Sequence, residues 1–257
     1  MRQNIADQIT ALNDLGFTEV NSSTPLSVIA DYMRWGGGLR DLRLATINKN
    51  TGAYADYSEE EWNNLSASGK AALIKLGIRI RAERQDFIIS KDNITRANGS
   101  FDIPWAPNNN LDVKGLTNYG AGATGYLNDI DGEANTDLIL AHGIANNITF
   151  EAAERARAYK ASTFADGGYD DPTKWSLPAI GQLWLLYKYR IKINAAITTF
   201  FGASAQLITD SWYWSSTEYN SSYAWNVNML NGTVNTNLKA TTYRVRAVAP
   251  VPVASAI

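Results

Sequence analysis

The sequence has no cysteine and one histidine, His142. Without cysteine the chain can form neither a disulfide nor a thiolate metal site, and it has no thiol nucleophile. With one histidine we expect neither a serine–histidine pair nor a multi-histidine metal site. The sequence therefore predicts no catalytic residue, no metal, no cofactor and no enzymatic activity.

An excess of positive charge and a long apolar run are also missing. The formal net charge is -2, whereas a general nucleic-acid binder is strongly basic. No apolar run approaches the roughly 20 residues of a membrane-spanning helix. The first residues, MRQNIADQITALNDLGF, place acids and amides where a signal peptide needs an apolar core. We expect no nucleic-acid partner, no membrane insertion and no signal peptide, with synthesis in the cytoplasm.

What is present predicts a globular α+β protein, with 45% hydrophobic residues and 19 glycines. A stretch rich in Asn, Gly, Pro and Asp begins near residue 93, and its run Pro107–Asp112 is typical of a loop. We therefore expect a smaller mixed α/β region over residues 1–104, for attachment or oligomerisation. Residues 105–257 would form a ligand-binding domain with two helices and small antiparallel sheets.

Hydrophobic periodicity and capping residues predict the individual elements. In chain order these are helices within residues 1–36, a strand within 39–57, a helix from Ser58 to Leu76, extended chain over 78–89, a strand at 135–142, a helix that follows Thr149, and helices at 179–189 and 191–200. The helix from Ser58 has a Ser58/Glu61 capping box. The helix capped by Thr149 buries Ala152, Ala153 and Ala156. The helix-to-strand unit of residues 58–89 resembles the N-terminal part of tail-associated proteins from gut bacteriophages.

Asn231-Gly232 predicts a two-residue hairpin turn, because both central positions of that turn need positive φ. Leu230 would then pair with Thr233, and Asn226 with Asn237, while residues 244–248 close the sheet. Strand alternation sends one set of side chains to the core and the other outward. The inward set is Trp225, Val227, Met229 and Val234, and the outward set is Asn226, Asn228, Asn235 and Asn237.

Two interpretations account for so many asparagines, which are poor strand formers. One is an ordinary solvated sheet face. The other is a contact surface, because Lys239 is the only charged side chain between Tyr219 and Tyr243 although 19% of the chain is charged. Tyr, Asn and Ser in place of charge are typical of a paratope.

Four segments carry a family resemblance: Trp175-Ser-Leu-Pro, Tyr213–Glu218 (YWSSTE), Ala224–Val227 (AWNV) and Arg244–Val248 (RVRAV). Their order resembles the C-type lectin fold in its formylglycine-generating-enzyme-like branch. Residues 214–248 resemble the variable region of a protein diversified by a retroelement. Residues 1–104 are not covered by this resemblance.

The resemblance implies which positions vary. In that family a reverse transcriptase makes errors at template adenines, so Asn codons of the AAY kind are randomised and never yield Trp, Met, Lys, Glu or Gln. Glu218, Trp225, Met229 and Lys239 would therefore belong to the framework. The implied ligand-binding positions are Asn220, Ser221, Ser222, Tyr223, Asn226, Asn228, Leu230, Asn231, Thr233, Asn235, Thr236, Asn237, Leu238, Ala240, Thr241, Thr242 and Tyr243.

Two departures from the family limit what carries over. The enzyme branch uses cysteine at its active site, and this chain has none. Calcium-dependent lectins need an acid after Trp-Asn, whereas Trp225-Asn226 is followed by Val227. We therefore carry over neither the enzyme chemistry nor calcium-dependent sugar binding.

The resemblance implies a ligand-recognition protein displayed on a phage tail, hence located in the virion. Its partners would be a bacterial surface protein or glycan and other phage tail proteins. A homo-oligomer, preferably a trimer, would raise avidity. Tyr223 and Tyr243 would anchor the ligand, while Trp214, Trp225, Arg244 and Arg246 hold the frame.

Two alternatives remain open. One is a structural tail or fimbrial subunit without a variable binding site. The other is a hydrolase or transferase that uses the acidic cluster of Asp129, Asp131, Glu133 and Asp137, although no nucleophile is paired with a base there.

Overall fold

The computed structural model describes Ala6, Ile9, Thr10 and residues 38–83, 85–122, 124–161, 173–203 and 205–252. Apart from those three positions, the helices predicted within residues 1–36 lie outside the described residues. The remainder mixes helices with small antiparallel sheets, which confirms the predicted α+β class.

The described strands are β1 (Leu39–Asn48), β2 (Tyr54–Tyr57), β3 (Leu73–Ala82), β4 (Gln85–Asn93), β5 (Ile103–Pro104), β6 (Trp212–Glu218), β7 (Tyr223–Asn228), β8 (Val234–Leu238), β9 (Thr242–Tyr243) and β10 (Arg246–Pro250). The described α-helices are α1 (Glu59–Asn64), α2 (Ala67–Ala71), α3 (Gly132–Asn146), α4 (Glu151–Arg157), α5 (Ile180–Lys188) and α6 (Arg190–Phe201). A 3-10 helix covers Tyr126–Asn128.

The largest sheet has the order β10-β4-β3-β1-β2, and all of its pairs are antiparallel. The prediction that residues 244–248 close the sheet of the hairpin holds only at Arg244, which forms a parallel bridge with Tyr213 of β6. Strand β10 pairs with β4 instead, with Val248 opposite Ile89. Residues on both sides of position 105 thus share one sheet and both buried clusters. A functional division near residue 105 stays a prediction, and it coincides with no break in this sheet.

The smaller sheet has the order β6-β7-β8, and helix α5 packs on β6 and β7. One buried cluster contains Trp105, Phe150, Trp175 and Trp214. The other joins β3 and β4 to α5 and α6, and also takes in Met229 from the hairpin. The hairpin is therefore packed directly against the core.

The helix predicted from Ser58 to Leu76 is wrong in length, although its Ser58/Glu61 capping box is confirmed. Helix α1 ends at Asn64 because Leu65 is extended, and Ser66 then caps the short helix α2. Leu76 lies in β3 and is 1% exposed. Pairing of β3 with β1 therefore prevails over the local helical pattern.

The strand predicted at residues 135–142 is also wrong, because this segment lies inside helix α3. A short apolar run cannot distinguish a strand from a buried helix. The deciding residue is Asp131, whose side chain accepts a hydrogen bond from the Ala134 backbone N–H at 2.9 Å and caps the helix.

The remaining predicted helices agree with the structure. Helix α4 buries Ala152, Ala153 and Ala156 as predicted, but it begins after Phe150 and Thr149 does not cap it. Helices α5 and α6 lie where the periodicity placed them. Helix α5 lies beside the hairpin and α6 packs on β1 and β3, and we call these two helices the α5–α6 wall.

Gly77 gives a test of the close approach of β3 and β4 in the large sheet. A Cβ there would lie 2.1 Å from the Ile89 carbonyl oxygen of β4. Because the obstacle is backbone, we expect Gly77→Ala to lower the free energy of unfolding by about 2–3 kcal/mol in urea denaturation.

Gly69→Ala is the matched control, since it lies in helix α2 and its nearest contact is the Ser66 side chain at 3.2 Å. Alanine is favoured over glycine in a helix by about 1 kcal/mol, so this variant should be no less stable than the parent. Equal losses in both variants would contradict the close approach of β3 and β4.

Candidate functional site

The hairpin register differs from the prediction by two residues. Val227 pairs with Val234 and Asn226 with Asn235, so the two-residue Asn231-Gly232 turn is wrong. The connection is longer, with the Gly232 N–H donating to the Asn228 carbonyl and the Asn228 N–H donating to the Thr233 carbonyl. Of Asn231 and Gly232 only Gly232 has positive φ, whereas the predicted turn needs it at both positions.

A shift of two residues keeps the alternation of faces, but the middle of β7 is covered on both sides. Val227 and Met229 are fully buried as predicted, while Trp225 and Val234 are half-buried. Asn226, predicted to face outward, is instead 0% exposed. The Asn237 side-chain amide donates a hydrogen bond to the Asn226 side-chain oxygen at 3.4 Å. The outward prediction for Asn226 is therefore wrong, because the middle of this central strand is covered although Tyr223 and Asn228 near its ends stay partly exposed.

The single charge of the segment lies inside the protein. Lys239 and Glu218 are both 0% exposed and form an ion pair. The Lys239 ammonium also donates to the Leu111 carbonyl at 2.6 Å and lies 4.7 Å from the centre of the Trp105 ring. The Val113 N–H donates to the Glu218 carboxylate at 3.3 Å. This pair ties residues 105–113 to the hairpin.

Burial sets the protonation behaviour of this pair. It raises the pKa of Glu218 to about 7, although the nearby Lys239 charge opposes the shift. It also lowers the pKa of Lys239, against the attraction of the Glu218 carboxylate. Both shifts have the same cause, because a low-dielectric interior disfavours each charged form.

The surface that residues 219–243 present carries no formal charge of its own, because Lys239 is buried. The exposed predicted positions are Leu230, Asn231, Thr233, Asn235, Leu238, Ala240 and Thr242. The half-buried ones are Asn220, Ser221, Ser222, Tyr223, Asn228, Thr236, Asn237, Thr241 and Tyr243. We call these sixteen residues the variable face, which leaves out only Asn226 of the predicted positions.

The predicted framework residues lie mostly in the interior. Glu218, Met229 and Lys239 are 0% exposed, as framework residues should be. Trp225 is half-buried, stacks on Tyr126 with ring centroids 4.2 Å apart, and donates from its indole N–H to the Tyr119 carbonyl. All four are therefore held by contacts within the protein.

The predicted frame residues outside the hairpin, Trp214, Arg244 and Arg246, are also held by contacts within the protein. Trp214 is buried and its indole donates to the Ile103 carbonyl at 3.1 Å. The fully buried Arg246 donates to the Ser90 and Gln206 carbonyls, and burial lowers its pKa to about 10. Arg244 is only partly buried and lies over the Phe101 ring at 4.7 Å.

The two predicted tyrosine anchors differ in environment. Tyr223 is half-buried and meets the Tyr219 ring edge-on. Tyr243 packs against both Trp212 and Trp214, and burial raises its pKa. Tyr223 is thus the more available of the two for a ligand.

Sequence reasoning missed the contribution of the loop 107–112, which it treated only as a boundary. The Asn109 side chain accepts from the Ala240 N–H, and Asn110 accepts from the Ser222 hydroxyl at 3.3 Å. The Leu111 N–H donates to the Ser221 carbonyl at 2.8 Å. These contacts place the loop beside the variable face. Its signal was composition, since residues 108–110 repeat the uncharged, Asn-rich character of the hairpin.

The acidic cluster is engaged in structural contacts. Asp129 accepts from the Thr217 hydroxyl and the Asn135 amide, and burial raises its pKa. Asp131 caps α3, while Glu133 and Asp137 both pair with Lys174. Each carboxylate thus stabilises local structure.

Residues 122–249 match the Lcl C-terminal domain. The matched range contains α3, the α5–α6 wall and the whole variable face. The protein thus has an α+β fold with a C-terminal lectin-like domain, as the sequence predicted, and the match supports ligand binding as its role. No curated protein matches the sequence significantly.

Among solved structures, the chain is similar to the crystal structure of a fimbrial protein from Bacteroides ovatus ATCC 8483. The two are 15% identical with a TM-score of 0.49. The match covers 64% of this chain and 35% of that protein, so the chain spans about a third of that protein's length.

Within the part of the chain that the structure describes, none of the helices has the length and apolar character needed to cross a membrane.

The buried ion pair can be tested by removing one partner. We expect Glu218→Gln to lower the free energy of unfolding by about 3–5 kcal/mol, because it leaves the Lys239 ammonium without its counter-charge. Lys239→Met should cost a similar amount. The double variant should cost clearly less than the sum of the two, as measured by a urea-denaturation double-mutant cycle.

Glu133→Gln is the control, since it removes one carboxylate from the exposed Lys174 cluster. A loss below about 1 kcal/mol is expected there. Additive losses at Glu218 and Lys239 would show that the two residues do not act as a pair.

Proposed function

We propose that this protein is a diversified ligand-recognition protein whose variable face binds a molecule of the bacterial surface. One observation carries the proposal. The positions predicted to vary are all at least partly exposed to solvent, with Asn226 as the exception, whereas Glu218, Met229 and Lys239 of the framework are buried. A surface that varies without disturbing the core needs this separation.

The chemistry of the face suits recognition of many ligands. Asn, Ser and Thr supply adaptable hydrogen bonds, and Tyr supplies rigid contact area. Because the face has no charge of its own, a new ligand meets no fixed long-range repulsion from it. This is the expected property of a surface that is selected repeatedly against different targets.

Display on a phage tail, in the virion, is part of the proposal. A small polar face binds modestly, so several copies would raise the overall affinity. A homo-oligomer, preferably a trimer, joined to other tail proteins would supply those copies. The ligand would be a bacterial surface protein or glycan.

We further propose that the protein is not an enzyme. The carboxylates of the acidic cluster are occupied by hydrogen bonds, a helix cap and ion pairs, and catalysis would need a nucleophile paired with a base. A structural tail or fimbrial subunit, which is the alternative, would instead need the variable face to stay unchanged, because that face would be used in assembly.

The test is a library randomised at Asn231, Thr233, Asn235 and Thr242, four exposed positions of the variable face. We expect most members to keep a free energy of unfolding within about 0.5 kcal/mol of the parent, because the side chains are exposed. Selection on different bacterial strains should yield different sequences, with binding measured on whole cells by flow cytometry.

A control library at Asn50, Asn63, Asn98 and Asn146 changes exposed asparagines away from the hairpin. It should give no strain-dependent selection. Loss of folding across the first library would instead favour the structural subunit. At the genetic level, a reverse-transcriptase gene and a near-copy of the segment for residues 214–248, differing only at adenines, should lie beside the gene.

A further inference from the structure

A concave groove lies between the α5–α6 junction and the tip of the hairpin. Its volume is about 560 Å³. It is lined by Tyr187, Lys188, Tyr189, Arg190, Ile191, Lys192 and Leu230. All but Leu230 come from the helical wall, so the groove has one helical side and one side from the variable face.

Two large aliphatic side chains of the groove are exposed to solvent. Ile191 on α6 is 82% exposed and Leu230 at the hairpin tip is 59% exposed. Exposure of a single aliphatic side chain is common, but two that line the same concavity mark a place where apolar surface can be buried by a ligand.

The groove is held in a fixed shape. The Tyr187 ring packs against Gly232, where an added Cβ would lie 2.3 Å from the ring Cε1. Tyr187 also contacts Trp184, with ring centroids 5.2 Å apart. The hairpin tip therefore rests on α5, and Leu230 is presented at a set position above the helical side.

The rim of the groove carries an excess of positive charge. Lys188 is paired with Glu83 and Arg190 with Asp210. Lys192 is exposed and has no acidic partner among the residues that the structure describes. A carboxylate on a ligand could pair with Lys192 while a neighbouring apolar side chain fills the groove.

We infer that this groove is the apolar anchor site of the binding surface, and that it takes a protein segment with an aliphatic or aromatic side chain next to an Asp or Glu. The inference rests on the proposed function and specifies its ligand chemistry. The helical side would supply the same apolar and cationic contact to every ligand, while the residue at position 230 adjusts the fit. A fixed anchor beside replaceable contacts explains how a polar face gains affinity.

The experiment uses the full chain and a random peptide library displayed on yeast. We expect the selected peptides to share an apolar residue adjacent to Asp or Glu. For the best of them, Ile191→Ser should weaken binding about tenfold or more in fluorescence anisotropy, as loss of a buried anchor contact does. Lys192→Glu should weaken binding and reduce its dependence on salt.

Two matched controls exclude general effects. Ile144→Ser removes an aliphatic side chain that is 85% exposed on α3, outside the groove. Lys49→Glu reverses an exposed charge just after β1. Both should leave peptide binding unchanged.

The outcomes separate this inference from the proposed function. If selected peptides bind equally well to Ile191→Ser but lose binding when Asn235 and Thr242 are changed, the groove inference is wrong and the proposed function stands. Peptide binding insensitive to both sets would overturn both. Preferential binding of phosphatidylglycerol vesicles or of a sulfated polysaccharide through Lys192 would overturn the peptide inference, because the groove would then take a different class of ligand.

Discussion

The ion pair between Glu218 and Lys239 is the constraint on which the variable face depends. Glu218 ends β6, and Lys239 follows β8, so the pair spans the small sheet from one outer strand to the other. It also holds residues 105–113 through the Leu111 carbonyl and the Val113 N–H. A buried pair of this kind is costly to desolvate. In this protein the buried ion pair holds three segments of the chain together and adds no charge to the surface.

The same arrangement explains the composition that first set this segment apart. Exposed sheets are ordinarily kept soluble by Lys and Glu, yet the variable face has none. Amide and hydroxyl groups supply its polar surface instead, and buried contacts at Met229 and Lys239 hold it in position. Exposed hydrogen-bonding groups and buried stabilising contacts thereby belong to different residues, so that changing the first need not disturb the second.

Much of this organisation could be predicted from the sequence, but its register could not. The capping box at Ser58 and the helices α5 and α6 follow from local patterns, and the structure confirms them. The hairpin prediction failed because Asn231 lacks the positive φ that a two-residue Asn-Gly turn needs, and the connection runs from Asn228 to Thr233 instead. The prediction for residues 135–142 failed because a short apolar run fits a buried helix as well as a strand. Burial of Asn226 depends on cover from other segments, which no local pattern shows.

Strand β10 gives the architecture a further property. It is made after the variable segment, yet it occupies the edge of the large sheet beside β4, which belongs to the first half of the chain. Until translation has passed through residues 214–248, β4 lacks this neighbour and its edge stays open. A chain that stops or shifts frame within residues 214–248 would lack β10 and could not complete this sheet. A complete large sheet therefore requires that the chain is read through in frame to β10.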